Sequence, residues 1–111
     1  MSLDTIRLND LRRMKDEADR LVDGVEVEAA IERMAKAITD RLGDADPLIY
    51  AVMNGGLIFA GRLLPKLDFP LELSYLHATR YGDATTGEEI EWRVRPHDNV
   101  RGRTVLIVDD V

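Results

Sequence analysis

The rhythm of apolar and polar positions changes at Pro47. Before it, Ile6, Leu8, Leu11 and Met14, then Ala18, Leu21 and Val22, recur at roughly helical spacing and predict a first helix. Asp23 stands where a capping side chain accepts from the amide three residues on, and Glu26 holds the reciprocal position. Val27, Ala30, Ile31, Met34, Ala35, Ile38 and Leu42 then form one apolar stripe, which predicts a second helix packed on the protein's own sheet. Gly43 suits its C-cap, and residues 44–47 read as a loop.

After Pro47 the pattern becomes that of strands. Leu48 to Met53 is a continuous apolar run of strand length, as in a parallel-sheet strand buried on both faces. Asn54-Gly55-Gly56 follows, then Leu57 to Leu64, a short apolar helix that Pro65 should end. Leu71 to Arg80 reads as a second strand. Tyr81 to Glu88 is polar and glycine-punctuated, the texture of an exposed, mobile loop. From Glu89 to Arg95, Ile90, Trp92 and Val94 alternate with charges, which predicts a strand with one wet face, antiparallel or at an edge. Residues 96–102 form a turn, and Thr104 to Val108 predicts a final buried strand. Helices followed by strand–helix–strand and a return strand indicate an α/β sandwich.

Composition narrows the function classes. A chain of 111 residues suits one small domain, and 45% hydrophobic with 32% charged residues is ordinary globular composition. The net charge of −6 disfavours a nonspecific nucleic-acid binder. No cysteine is present, which removes disulfides, thiolate metal sites and cysteine nucleophiles. No apolar run reaches the ~18 residues of a membrane span, and Asp4 and Arg7 interrupt the N-terminus where a signal peptide needs its apolar stretch. The expectation is a soluble cytoplasmic protein without a membrane or nucleic-acid partner.

Three places could carry chemistry. At Met53-Asn54-Gly55-Gly56 a buried strand turns into a helix through two glycines, which lets backbone amides approach an anion such as phosphate or pyrophosphate. A plain tight turn is the alternative, and Asn-Gly is also a hairpin signal, though the helical run after it argues otherwise. Asp109-Asp110 ends the last strand, where parallel sheets bind ligands; two carboxylates there can accept from a sugar diol or sit near Mg²⁺. A solvated turn is the alternative. Arg80-Tyr81-Gly82 heads the polar loop and could close over an anionic substrate, or could be an exposed hairpin. His77 reads as a core histidine, Trp92 as sheet packing, and the arginines at 93, 95, 101 and 103 as a solvated face offset by nearby acids.

In order, Met53-Asn54-Gly55-Gly56, Arg80-Tyr81-Gly82 with Thr85-Thr86-Gly87-Glu88, and Val100 through Val111 resemble the type I phosphoribosyltransferases, on their hypoxanthine-guanine branch, over residues 48 to 111. The resemblance implies a parallel-sheet, Rossmann-like sandwich. It would be a single partial domain: N-terminal helices over 1–46, and an α/β core over 47–111 that ends at the strand binding phosphoribosyl pyrophosphate, with the C-terminal part of the fold missing. It implies transfer of ribose 5-phosphate from that donor to hypoxanthine or guanine, with Mg²⁺, in purine salvage. By match, Met53, Asn54, Gly55 and Gly56 would bind pyrophosphate. Asp109 and Asp110 would bind the ribose hydroxyls near the metal, and Arg80 and Tyr81 would belong to the closing loop. The family's habit implies a homodimer or homotetramer.

The chain departs from the family pattern in three ways. Asn54 stands where many relatives carry Lys, so a fixed positive charge is lost, and Arg80 stands where many carry Ser. The third Asp, the 5′-phosphate loop and the base-selecting residues of the family would follow Val111, so the expectation is that this polypeptide has no transferase activity alone. Two other readings remain open: a non-catalytic regulator that senses the donor or nucleotides, and a receiver-type domain whose paired acids hold Mg²⁺.

Overall fold

The computed structural model describes residues 2–81, 89–96 and 99–111. Helix α1 spans Leu3–Glu17 and α2 spans Gly24–Leu42. Strand β1 (Leu48–Val52) leads into α3 (Leu57–Leu63), which tightens into one 3₁₀ turn at Leu64–Lys66. Strands β2 (Glu72–Tyr81), β3 (Glu89–Val94) and β4 (Val105–Val108) complete a four-stranded sheet of order β3-β2-β1-β4. β1 runs parallel to both β2 and β4, and β2 pairs antiparallel with β3.

Local chemistry sets each boundary. The Asp23 carboxylate accepts from the Glu26 amide at 2.8 Å, the expected cap of α2. Pro65 falls at the start of the 3₁₀ turn, where the missing N–H costs least. Gly102 has φ of +75° in the turn before β4, a left-handed position that glycine takes without steric cost, and the Arg103 amide closes the turn on the Val100 carbonyl at 3.0 Å. Arg103 then bonds the Asp46 carbonyl at 3.1 Å and the Glu72 carboxylate at 3.3 Å, which ties the start of β4 to the entries of β1 and β2.

The core lies between the sheet and the α2/α3 pair. Ile31 and Ala35 of α2, with Ala60 and Leu63 of α3, bury Ile49 and Ala51 of β1 and Val108 of β4. Leu48 and Tyr50 alternate to the other face and are as buried, so β1 is covered on both sides as its apolar run predicted. Two ion-paired bridges fasten α2 to the end of α3: Arg62 to Glu28 at 2.8 Å, and Lys66 to both Glu28 and Glu32.

Three expectations change. The first helix stops at Glu17, because Ala18 and Asp23 are both extended, and none of its residues is buried. β4 is an edge strand rather than a fully buried one: Val108 is covered, while Ile107 is 54% exposed on the opposite face. The second strand runs on through Tyr81. The rest of the polar loop expected from Tyr81 to Glu88 lies outside the described residues, as does His97.

Candidate active site

The register of β1 against β4 builds the site. Ala51 pairs with Val108, so Val52 and Asp109 leave the sheet side by side and pointing the same way. The turn Met53–Gly56 therefore grows beside Asp109–Asp110. The Met53–Asn54 peptide is cis. The Met53 amide donates to the Leu76 carbonyl and the Gly56 amide to the Val52 carbonyl, both at 2.8 Å, and the Leu57 amide returns to the Asn54 carbonyl at 3.1 Å. The amides of Asn54 and Gly55 make no hydrogen bond to a described residue. Of the four predicted positions, these two have donors to offer a ligand.

Space demands a glycine at position 56, and at position 55 a side chain would displace the Asp110 carboxylate. At Gly56 φ is −79°, an ordinary value, yet a Cβ there would lie 2.8 Å from the carbonyl oxygens of Val52 and Val108 and 3.3 Å from the Asp109 Cα. At Gly55 a Cβ would lie 2.5–2.6 Å from the carboxyl atoms of Asp110. The turn and the acid pair, far apart in sequence, are thus in van der Waals contact. Asp109 is half-buried, and its Oδ1 accepts from the Asp110 amide at 2.8 Å, which fixes one carboxylate and leaves the exposed Asp110 carboxylate against Gly55. Sequence reading of the glycines as amide cradles missed this packing role. The signal was two strand ends finishing in small or acidic residues, but only their pairing shows that they touch.

Arg80 and Tyr81 are placed elsewhere. β2 pairs with β1 only as far as Leu76 opposite Val52, then continues as a ribbon with β3, Arg80 facing Ile90. Four further residues at strand rise carry Arg80 about 13 Å past the end of β1. The described structure therefore joins Met53–Gly56 with Asp109–Asp110 and sets Arg80 and Tyr81 on a projecting hairpin beyond them.

The donor set suits Mg²⁺ only in its usual style. Among the described residues no group of three or more His, Asp, Glu or Cys could hold a metal. Magnesium commonly takes one or two carboxylates together with substrate phosphates and water, and Asp109–Asp110 beside a turn whose Asn54 and Gly55 amides have no partner among the described residues fits that arrangement. Among the described residues no helix is long and apolar enough to cross a membrane.

Comparison with known proteins gives the family. A family model for the phosphoribosyl transferase domain matches residues 17–111. The chain is 28% identical over 99 residues to a hypoxanthine-guanine-xanthine phosphoribosyltransferase of Tritrichomonas foetus, covering 88% of this chain and 54% of that protein. It is 26% identical over 100 residues to a hypoxanthine-guanine phosphoribosyltransferase of Bacillus subtilis, covering 88% and 56%. The crystal structure of the L. donovani hypoxanthine-guanine phosphoribosyl transferase superposes with a TM-score of 0.68 at 26% identity, over 82% of this chain and 58% of that one. The chain thus spans about half the length of the curated relatives it matches. With the matched span running from the end of α1 through both halves of the site, the chain belongs to the phosphoribosyl transferase domain family, and the relatives it resembles are hypoxanthine-guanine members.

Proposed function

We propose that this chain carries the pyrophosphate- and ribose-binding half of a purine phosphoribosyltransferase site acting on hypoxanthine or guanine. The observation that carries the reading is the contact between Gly55 and Asp110, which sets two amides without a partner among the described residues beside two carboxylates at the ends of adjacent parallel strands. A phosphoribosyl pyrophosphate molecule has matching groups close together: an anionic pyrophosphate at C1 and a 2,3-diol. The Asn54 and Gly55 amides donate to the pyrophosphate, and Asp109 and Asp110 accept from the diol.

In the transfer, the bond from C1 to the pyrophosphate oxygen breaks, the electron pair leaves with that oxygen, and a purine ring nitrogen bonds to C1 while losing its proton. Charge grows on the leaving pyrophosphate and on an oxocarbenium-like ribose. Fixed amide dipoles stabilise the first without reorganising, and carboxylates near the ring stabilise the second. Bound Mg²⁺, held by Asp109 and Asp110 together with ligand oxygens, would add charge neutralisation at the leaving group. Arg80 and Tyr81, on their projecting ribbon, are the residues proposed to close over the ligand. The proton-accepting Asp implied by the family resemblance is not among these 111 residues, so the polypeptide is expected to bind donor without turnover.

The test is calorimetric titration of the chain with phosphoribosyl pyrophosphate in the presence and absence of Mg²⁺. Saturable, Mg²⁺-enhanced binding that falls at least tenfold in Asp109→Asn/Asp110→Asn is expected. Binding unchanged in that double variant, or no binding by a folded chain, would refute the assignment. Conversion of either purine that depends on phosphoribosyl pyrophosphate would refute the expected lack of turnover.

A further inference from the structure

Asn54-Gly55 sits at the centre of the site turn, and the two groups there that can react with each other are both unengaged. The Asn54 side chain is exposed and makes no hydrogen bond to a described residue. The Gly55 amide nitrogen is likewise without a partner among the described residues. The groups around them are tied: the Met53 and Gly56 amides donate to the Leu76 and Val52 carbonyls, and the Leu57 amide to the Asn54 carbonyl. An asparagine side-chain amide carbon and the next backbone nitrogen close a five-membered ring when both are free. A glycine at the second position has no Cβ to block the approach.

The chain has three asparagines, and the other two are protected. Asn9 lies inside α1, where the following amide is committed to the helical ladder. The Asn99 side-chain oxygen accepts from the Arg101 amide at 3.1 Å, and the β-branched Val100 comes next in the chain. Asp23-Gly24 has a related pattern, but the Glu26 amide holds the Asp23 carboxylate at 2.8 Å, and an acid has no ammonia to lose.

We propose that Asn54 is a site of spontaneous deamidation, and that the modification shuts the turn to anions. The Gly55 nitrogen bonds to Asn54 Cγ, and the bond from Cγ to Nδ2 breaks. Its electron pair leaves with that nitrogen as ammonia, which takes up the proton lost by the Gly55 N–H. Water then opens the ring at either carbonyl. The product is a carboxylate at position 54, joined to Gly55 through its α- or its β-carboxyl carbon. It adds a negative charge beside Asp109–Asp110, where the Asp110 carboxylate already lies against Gly55, and like charge repels a phosphate-class ligand. The β-linked form also adds one methylene to a backbone in which Gly56 is wedged against the Val52 and Val108 carbonyls. The shut-off rests on the pyrophosphate reading of the turn; the deamidation does not. An anion accepting from the Gly55 N–H would occupy the attacking nitrogen, so an empty turn ages faster than a filled one.

The test ages the intact chain at mildly alkaline pH and follows it by peptide mapping in the mass spectrometer, with enzymatic labelling of β-linked aspartate. Asn54 is expected to convert at least fivefold faster than Asn9 or Asn99, releasing one ammonia per converted residue. Its rate should stay within tenfold of that in the guanidinium-unfolded chain, because the fold leaves both reacting groups open. Gly55→Ala should slow the conversion at least fivefold, and Asn54→Gln should remove it on the same timescale. Equal rates at the three asparagines, a slowing of more than tenfold on folding, or a Gly55→Ala chain that ages as fast as the parent would overturn the proposal. Calorimetric titration with inorganic pyrophosphate and Mg²⁺ reads the shut-off, with binding expected to fall in proportion to the converted fraction. Full binding by a converted chain would overturn the shut-off, whereas a parent chain that binds no pyrophosphate would refute the anion reading of the turn.

Discussion

Gly56→Ala isolates the packing that brings the two halves of the site together. The backbone at this position has φ of −79° and ψ of −5°, which alanine adopts freely, so conformational strain is not the issue. Removing glycine even shifts the unfolded-state entropy in favour of folding by about 0.4–1 kcal/mol. Against that, the new Cβ would sit 2.8 Å from two carbonyl oxygens, those of Val52 and Val108. Both belong to strand ends that are hydrogen-bonded to each other or to the turn, so neither can swing aside as a side chain would. Forcing one carbon into such a close-packed place costs about 1–3 kcal/mol. The net loss expected is about 1–2 kcal/mol, or a fall in melting temperature of roughly 5–15 °C for a chain of this size. Urea unfolding followed by circular dichroism measures it. Gly55→Ala is the internal control. The atoms nearest its Cβ are those of the exposed Asp110 carboxylate, which can rotate away, so its stability should stay within about 0.5 kcal/mol of the parent. Equal stability of Gly56→Ala and the parent, or the reverse order of the two variants, would refute the argument that β1 and β4 clamp the turn.

Two further outcomes follow from the core and the helix clip. Ile49 is fully buried between the sheet and the α2/α3 pair, so Ile49→Ala should lose about 2–5 kcal/mol in urea titration, and a loss under 1 kcal/mol would mean that β1 is not the packed centre. The Lys66 ammonium, then the Arg62 guanidinium, hold the Glu28 carboxyl below the usual carboxylate range, while Glu28, then Glu32, hold Lys66 above its usual value. A depressed acid adds stability above its unfolded pKa and loses it as pH falls through the folded value; a raised lysine adds stability below its unfolded pKa and loses it as pH rises through the folded value. The difference in urea midpoint between the parent and Glu28→Gln should therefore be flat from about pH 5 to about pH 10 and shrink toward pH 3; a difference that persists undiminished at pH 3 would rule out the charge as its source.

Much of the architecture was legible because its determinants are local. The Asp23 cap, the stripe of α2, the apolar run of β1 and the stop at Pro65 each depend on residues within a few positions of one another. The alternation of Ile90, Trp92 and Val94 likewise places β3 in an antiparallel pair at the sheet edge. The end of α1 was less legible. Apolar residues recur through Val22, and spacing alone does not reveal that Ala18 and Asp23 adopt extended backbone. The exposure of β4 was hidden for a related reason, since Val105 to Val108 is as apolar as a central strand and only its place in the sheet leaves Ile107 uncovered.

The sequence by itself determined the parts: a strand ending in Asn-Gly-Gly, a strand ending in Asp-Asp, and the helices able to cover them. Side-chain size, capping and hydrophobic period decide these over short stretches, and they also carried the resemblance to phosphoribosyltransferases. Tertiary structure alone decided that Gly55 lies against Asp110 while Arg80 stands about 13 Å farther along its strand. The reason is register. Parallel pairing of Ala51 with Val108 aligns two strand ends that no local rule connects, and the longer reach of β2 carries its own terminus past them.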